Sequence, residues 1–177
     1  VQHYTILSDA KPYIVEVGTH TLPAQYAHYA VPKMDAAAFL TAKVLGWNKL
    51  NLVSGNASVY YNGAYLGSSY INTATVNDTL VLSLGRDRMI MVERNKISEE
   101  NKKIFSGNTV KETLSYEIVV KNNRDGAIVM TLQDQLPISS DKEIEITAIE
   151  VSGAEWNKDS GELTWRFNLA PGEVKKI

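Results

Sequence analysis

The chain has 177 residues, 44% of them hydrophobic and 21% charged, with a formal net charge of -2 and no cysteine. That length and apolar content suffice for one large or two small domains with a buried core. The near-neutral charge argues against an electrostatic nucleic-acid binder. The lack of cysteine removes disulfides, thiolate catalysis and cysteine-held metal, and no apolar run reaches the length of a membrane-spanning helix. The first residue is Val1 and no signal-peptide pattern follows it, as expected of a processed or trimmed start.

Residues 1–31 read as short extended segments. Tyr13-Ile14-Val15-Glu16-Val17 alternates, Gly18 and Pro23 punctuate the stretch, and 25–31 forms a strand closed by Pro32. Residues 35–47 admit two readings. Asp35 suits a helix N-cap and the alanines favour helix, yet Leu40, Ala42 and Val44 alternate with Phe39, Thr41 and Lys43; strands on both sides favour strand.

The sharpest local signal is Ser58-Val59-Tyr60-Tyr61-Asn62-Gly63-Ala64-Tyr65-Leu66-Gly67. Asn-Gly between two apolar-aromatic runs predicts a two-residue type I′ hairpin, because both central residues need φ > 0. The register then pairs Tyr61 with Ala64, Tyr60 with Tyr65 and Val59 with Leu66. Asn77-Asp78 predicts a turn into a half-buried strand that sends Leu80, Leu82 and Leu84 to one face. Gly85-Arg86-Asp87-Arg88 reads as a polar turn, 89–93 as a strand and the charged stretch 93–108 as a linker.

Beyond residue 108 the period is two almost throughout. Leu114, Tyr116, Ile118 and Val120 alternate with polar neighbours, and Ile128, Met130 and Leu132 repeat the pattern after a loop at 122–126. Ile144 and Ile146 are expected to face inward, with a bulge near Ala148 shifting the phase to Ile149 and Val151. Leu163, Trp165, Phe167 and Leu169 make a buried face. Ala170-Pro171-Gly172-Glu173 is a type II turn, followed by the start of a last strand.

The expected architecture is therefore all-β. It consists of two β-sandwich-like units, 1–106 and 107–177, able to share a sheet edge. The second is immunoglobulin-like, with only about five strands where about seven are usual, so it is expected to lack its last strand.

Chemistry is sparse. His3, His20 and His28 share no metal-ligand spacing, and no nucleophile elbow, phosphate loop or dinucleotide fingerprint occurs. Asp87 and Glu93 form a possible acid–base pair, but their arginine neighbours favour a local salt-bridge network. Asp134, Asp141 and Asp159 lack the dense acidic alternation of a calcium loop. No cofactor and no metal are called for. Tyr60, Tyr65 and Tyr70, with Tyr26 and Tyr29 earlier, are candidates for an exposed platform contacting a glycan or protein.

Five ordered patterns carry a resemblance. They are Tyr29-Ala30-Val31-Pro32-Lys33 with Ala38-Phe39-Leu40-Thr41-Ala42-Lys43-Val44; the stretch 52–67; 80–87 with Leu84-Gly85 before Asp87; 116–122 leading to Asp134-Gln135-Leu136-Pro137-Ile138-Ser139; and Ser160-Gly161-Glu162-Leu163-Thr164-Trp165 ending in Ala170-Pro171-Gly172-Glu173. Together they resemble the C-terminal domain of the mucoidy-inhibitor family of bacterial proteins, domain of unknown function 4139. The resemblance implies an all-β domain of exported or envelope-associated proteins, following other domains in its full-length relatives. It supplies no catalytic residue.

The expected function is accordingly a non-enzymatic module, exported and periplasmic or surface-associated, that binds a protein or glycan of the cell envelope. It is not membrane-spanning, and it is able to form a homo-oligomer through an open strand edge. The alternatives are a hydrolase of envelope polysaccharide using acids such as Asp87 and Glu93, and a structural spacer in a larger protein.

Overall fold

The computed structural model describes residues 5, 8–9, 11, 16–50, 52–61, 63–74, 79–98, 102–107 and 109–177. Most of the strand expected at 13–17 and the turn expected at Asn77-Asp78 lie outside them. The first strands are β1 (Ala24–Val31) and β2 (Asp35–Leu45), followed by a short 3-10 turn at Trp47–Leu50. The period-two reading of 35–47 is the one the chain adopts, since Ala38, Leu40 and Ala42 bury on one face. The hairpin is β3 (Gly55–Tyr61) and β4 (Ala64–Ile71), with Gly63 at φ +79°.

The next strand, β5 (Thr79–Lys96), is 18 residues long. It runs straight through the expected turn at Gly85-Arg86-Asp87-Arg88. The register explains how. Thr41 pairs Ser83 and Phe39 pairs Arg86, so one extra residue enters β5 there; Ala37 then pairs Met91, so three more are looped out. The polar tetrad is thus a double bulge that bends one strand, not a reversal between two. The expected linker at 93–108 also folds. Its start completes β5, and β6 (Lys102–Ser106) forms an exposed hairpin with β7 (Thr109–Thr113).

The remaining strands are β8 (Tyr116–Asn122), β9 (Ile128–Gln135), β10 (Glu155–Trp156), β11 (Glu162–Leu169) and β12 (Val174–Lys176). Among the described residues, eight strands form one sheet in the order β10-β11-β9-β1-β2-β5-β8-β12; the two hairpins pair outside it. The all-β class is as expected. The two units at 1–106 and 107–177 are interleaved, however. β9 pairs in parallel with β1, and β8 pairs with the second half of β5. The strands of the large sheet after residue 107 form two groups, β8–β12 and β10–β11–β9, joined through β1, β2 and β5.

One apolar core joins these groups. It combines Ala30, Ala38, Ile90 and Val92 with Ile118, Val120, Met130, Leu132, Trp165 and Leu169. Residues from both ends of an eight-stranded sheet meet in one cluster only if the sheet curls onto itself, as its right-handed twist favours. Trp165 donates its indole N–H to the Val151 carbonyl at 3.0 Å, so its polar edge is satisfied inside that core. Asn122, fully buried, sends its amide nitrogen toward the carbonyls of Gly126, Leu169 and Ala170 at 2.9, 3.2 and 3.1 Å and accepts the Arg124 N–H at 2.9 Å. It pins two loops at once.

Two expectations change further. Val59 pairs Gly67 rather than Leu66, because Leu66 is bulged out of the hairpin ladder. A methyl group placed on Gly85 would lie 3.9 Å from Leu66 Cδ2, so the bulged side chain is aimed at the bend of β5. Residues 144–149 form no strand, and Ile144, Ile146 and Ile149 are exposed rather than inward-facing.

Gly161 has φ +72°, and a Cβ there would sit 2.5 Å from the Leu136 carbonyl oxygen. Replacing it by Ala adds a backbone clash to the left-handed strain of about 1–2 kcal/mol. Gly46, at φ +73° with open space around it, isolates the strain alone. Urea denaturation is expected to show Gly161→Ala as clearly more destabilising than Gly46→Ala; equal losses would contradict the close approach.

Candidate functional site

Two constellations draw in the residues that carried chemical expectations. The first surrounds Asp87 in the bulge of β5. His28 on β1 and Asp87 are nearly buried, with side chains 5% and 8% exposed, and His28 Nε2 lies 2.8 Å from Asp87 Oδ2. Arg124, from the β8–β9 loop, donates Nη1–H to the same oxygen, and the Met89 N–H donates to Oδ1 at 3.0 Å. Burial pushes the Asp87 carboxyl up, but the bonds from His28, Met89 and Arg124 and the arginine's charge outweigh it. The group sits below its ordinary range. An ionised carboxylate only accepts, so His28 Nε2 carries the proton of their bond.

This network is a brace. Asn122 orients Arg124, and the Asn123 N–H donates to the Met89 carbonyl at 2.9 Å, closing the β8–β9 loop onto the bulge. Glu93 is not brought to Asp87. It is exposed and takes a long bond of 3.5 Å from Asn95. The salt-bridge reading of Asp87 therefore holds, but with partners the sequence did not show: a histidine 59 positions away and an arginine 37 positions away. Asp134 is likewise tied to Arg94, at 2.8 Å, and that guanidinium lies 3.7 Å over the Tyr116 ring.

The second constellation is the outer face of the β3–β4 hairpin. Register pairs Asn56 with Tyr70, Ser58 with Ser68 and Tyr60 with Tyr65. Residues of odd number turn toward the body, where Val59 is buried, so the even-numbered residues of β3 face outward with their partners. Tyr60, Tyr65 and Tyr70 are 64%, 59% and 63% exposed and share this face. The Tyr60 and Tyr65 rings lie 5.3 Å apart, tilted by 55°. The base of the hairpin is closed by the Ser54 hydroxyl, which accepts the Thr73 N–H at 2.9 Å.

The earlier tyrosines do not join this face in the same way. Tyr29 donates its hydroxyl to Gln133, and Gln133 donates to Glu162 at 2.6 Å. Burial first, and the Glu162 charge second, push the Tyr29 hydroxyl above its ordinary value. It is a structural donor, while Tyr26 on β1 is exposed on its own. Sequence reasoning missed Asn56, Ser58 and Ser68 as companions of the tyrosines. The available signal was charge: residues 50–77 contain no Asp, Glu, Lys, Arg or His in a chain that is 21% charged.

Comparison with known proteins adds the family. The profile of the domain of unknown function DUF4139 matches residues 1–177. The chain belongs to this family. Protein F37C4.5 of Caenorhabditis elegans is similar to the DUF4139 chain at 30% identity, over 96% of this chain and 33% of its own length. The chain thus spans about a third of that relative. No solved structure gives a significant match. Among the described residues, no helix is long and apolar enough to cross a membrane.

The Asp87 brace has a defined pH signature. Its folded pKa lies below the unfolded value of about 3.9, so its contribution is complete above that pH and is lost as pH falls through the folded pKa. Asp87→Asn is expected to cost about 2 kcal/mol at neutral pH, by leaving buried partners unpaired. It should also flatten the acid limb of stability below about pH 4. Urea midpoints measured from pH 2.5 to 7 check both, and an unchanged acid limb would remove Asp87 as its source.

Proposed function

We propose that this DUF4139 chain is a non-catalytic binding module that holds a neutral glycan on the outer face of the β3–β4 hairpin. The observation that carries the reading is the grouping of Tyr60, Tyr65 and Tyr70 on one exposed face with Asn56, Ser58 and Ser68 between them. Tyrosine rings offer flat apolar surface to the C–H faces of sugar rings, while amides and hydroxyls bond sugar hydroxyls. The absence of charge throughout 50–77 favours an uncharged ligand over an acidic polysaccharide or a nucleic acid.

The chemistry of Asp87 supports a binding role in preference to hydrolysis. Its carboxylate is committed to His28, Arg124 and the Met89 N–H, and Glu93 lies outside that group. An acid–base pair needs two carboxyl groups held across a substrate cleft. The five ordered patterns similar to mucoidy-inhibitor proteins support an exported, envelope-associated or surface setting for the module.

The test is retention on an array of neutral and acidic polysaccharides. The native protein is expected to be retained by at least one neutral glycan and not by acidic ones. Tyr60→Ala with Tyr65→Ala should weaken that binding about tenfold, since each aromatic contact is worth roughly 0.5–1.5 kcal/mol beyond its area. Circular dichroism verifies the fold. Equal retention of native and doubly substituted protein would reject the platform, as would selective retention by acidic glycans.

A further inference from the structure

Residues 142–150 read Lys-Glu-Ile-Glu-Ile-Thr-Ala-Ile-Glu. Ile144, Ile146 and Ala148 alternate there with Glu143, Glu145 and Thr147, as in a half-buried strand. Among the described residues, the fold pairs this segment with no strand, and the backbone groups of 145–150 take part in no backbone hydrogen bond. Ile144, Ile146 and Ile149 are 56%, 37% and 79% exposed. An open backbone that carries exposed apolar side chains is a template for another strand.

Two copies of the segment match each other in one register. Paired antiparallel about a two-fold axis, each residue i faces a residue j of the other copy, and j faces i. Centred on Ile146, the ladder sets Ile146 opposite Ile146, Ile144 opposite Ala148 and Lys142 opposite Glu150, the last two contacts occurring twice. On the other face Glu143 meets Ile149 and Glu145 meets Thr147, so no like charges stand directly opposite. The neighbouring registers that keep the apolar row together are worse. Centring on Glu145 sets two carboxylates face to face, and centring on Thr147 puts Ile144 against Glu150 and Lys142 against Ser152. A one-residue slip either way mixes the apolar row with the acidic one. Apolar contact and charge select the same register.

The backbone accommodates that register. Ile144 gives its N–H to the Asp141 carbonyl at 3.2 Å. With Ile146 in a non-hydrogen-bonded pair, the ladder's N–H groups are those of Glu145, Thr147 and Ile149, and Ile144 keeps its turn. We propose that the chain forms a two-fold homodimer in which residues 142–150 of two copies pair as an antiparallel ribbon centred on Ile146. The contact is separate from the tyrosine face and does not depend on the glycan reading.

The test uses the intact chain. Sedimentation equilibrium is expected to show a concentration-dependent dimer, with amide exchange slowed at Glu145, Thr147 and Ile149 as it forms. Lys142→Glu should weaken the dimer about tenfold, because two symmetry-related pairs change from attraction to repulsion. Adding Glu150→Lys to it should restore the affinity, which a partner surface elsewhere on the chain would not do. The chain has no cysteine, so single cysteines report geometry directly. Ile146→Cys lies on the axis and should oxidise to a disulfide dimer about tenfold faster than Ile149→Cys, whose copy is six ladder positions away, roughly 20 Å, too far to bridge. Exposure alone would give the opposite order, since Ile149 is the more exposed residue. The proposal is overturned if the native chain stays monomeric at its highest soluble concentration. It is equally overturned if Ile149→Cys cross-links as fast as Ile146→Cys, or if the charge-swapped chain dimerises as weakly as Lys142→Glu.

Discussion

The Asp87 carboxylate is the point at which the curled sheet is held in shape. It sits in the double bulge of β5, where that strand stops following β2 and begins to follow β8, and it takes bonds from β1, from the β8–β9 loop and from its own bulge. A bulge leaves backbone groups unpaired and lets a strand swing. Here the swing is fixed by a nearly buried anion with a histidine, an arginine and a backbone amide converging on it. Removing one partner would leave the others buried and unsatisfied, so the network is more costly to break than its net contribution suggests.

Because β5 is continuous, everything on either side of it is positioned relative to that bend. Toward its start, Gly85 receives the Leu66 side chain and the β3–β4 hairpin is set against the body. Toward its end, Arg94 crosses to Asp134 on β9 and stacks on Tyr116. The core then closes between the β8–β12 and β10–β11–β9 groups. A frame built this way leaves the hairpin face of tyrosines and the groove beside Trp156 exposed. Both are local features mounted on a braced frame, the usual division between scaffold and binding surface.

Much of this was legible in the residues. The Asn62-Gly63 hairpin announced its Tyr61–Ala64 and Tyr60–Tyr65 pairs, and the alternations at 118–120, 128–132 and 163–169 named the buried faces. The strand form of 35–45 was decided by its period rather than by its alanines, because burial of a strand face outweighs weak helix propensity. Three other readings went astray for identifiable reasons. Polar residues at 85–88 looked like a turn because bulges and turns use the same residue types. The charge in 93–108 looked like a linker, although strand β5 ends there and an exposed hairpin follows. The alternation at 143–151 satisfied the period without satisfying a partner, and a strand exists only when both conditions are met.

The sequence by itself determined the all-β class, most strand faces and the hairpin that presents the tyrosines, since these depend on alternation and turn chemistry within a few residues. Only the tertiary structure decided the parallel meeting of β1 with β9, the continuity of β5 and the joining of His28, Asp87 and Arg124. It alone decided which strand-like segment would be left unpaired. Those contacts link residues tens of positions apart. Their energy depends on burial and geometry that no local window of the chain contains.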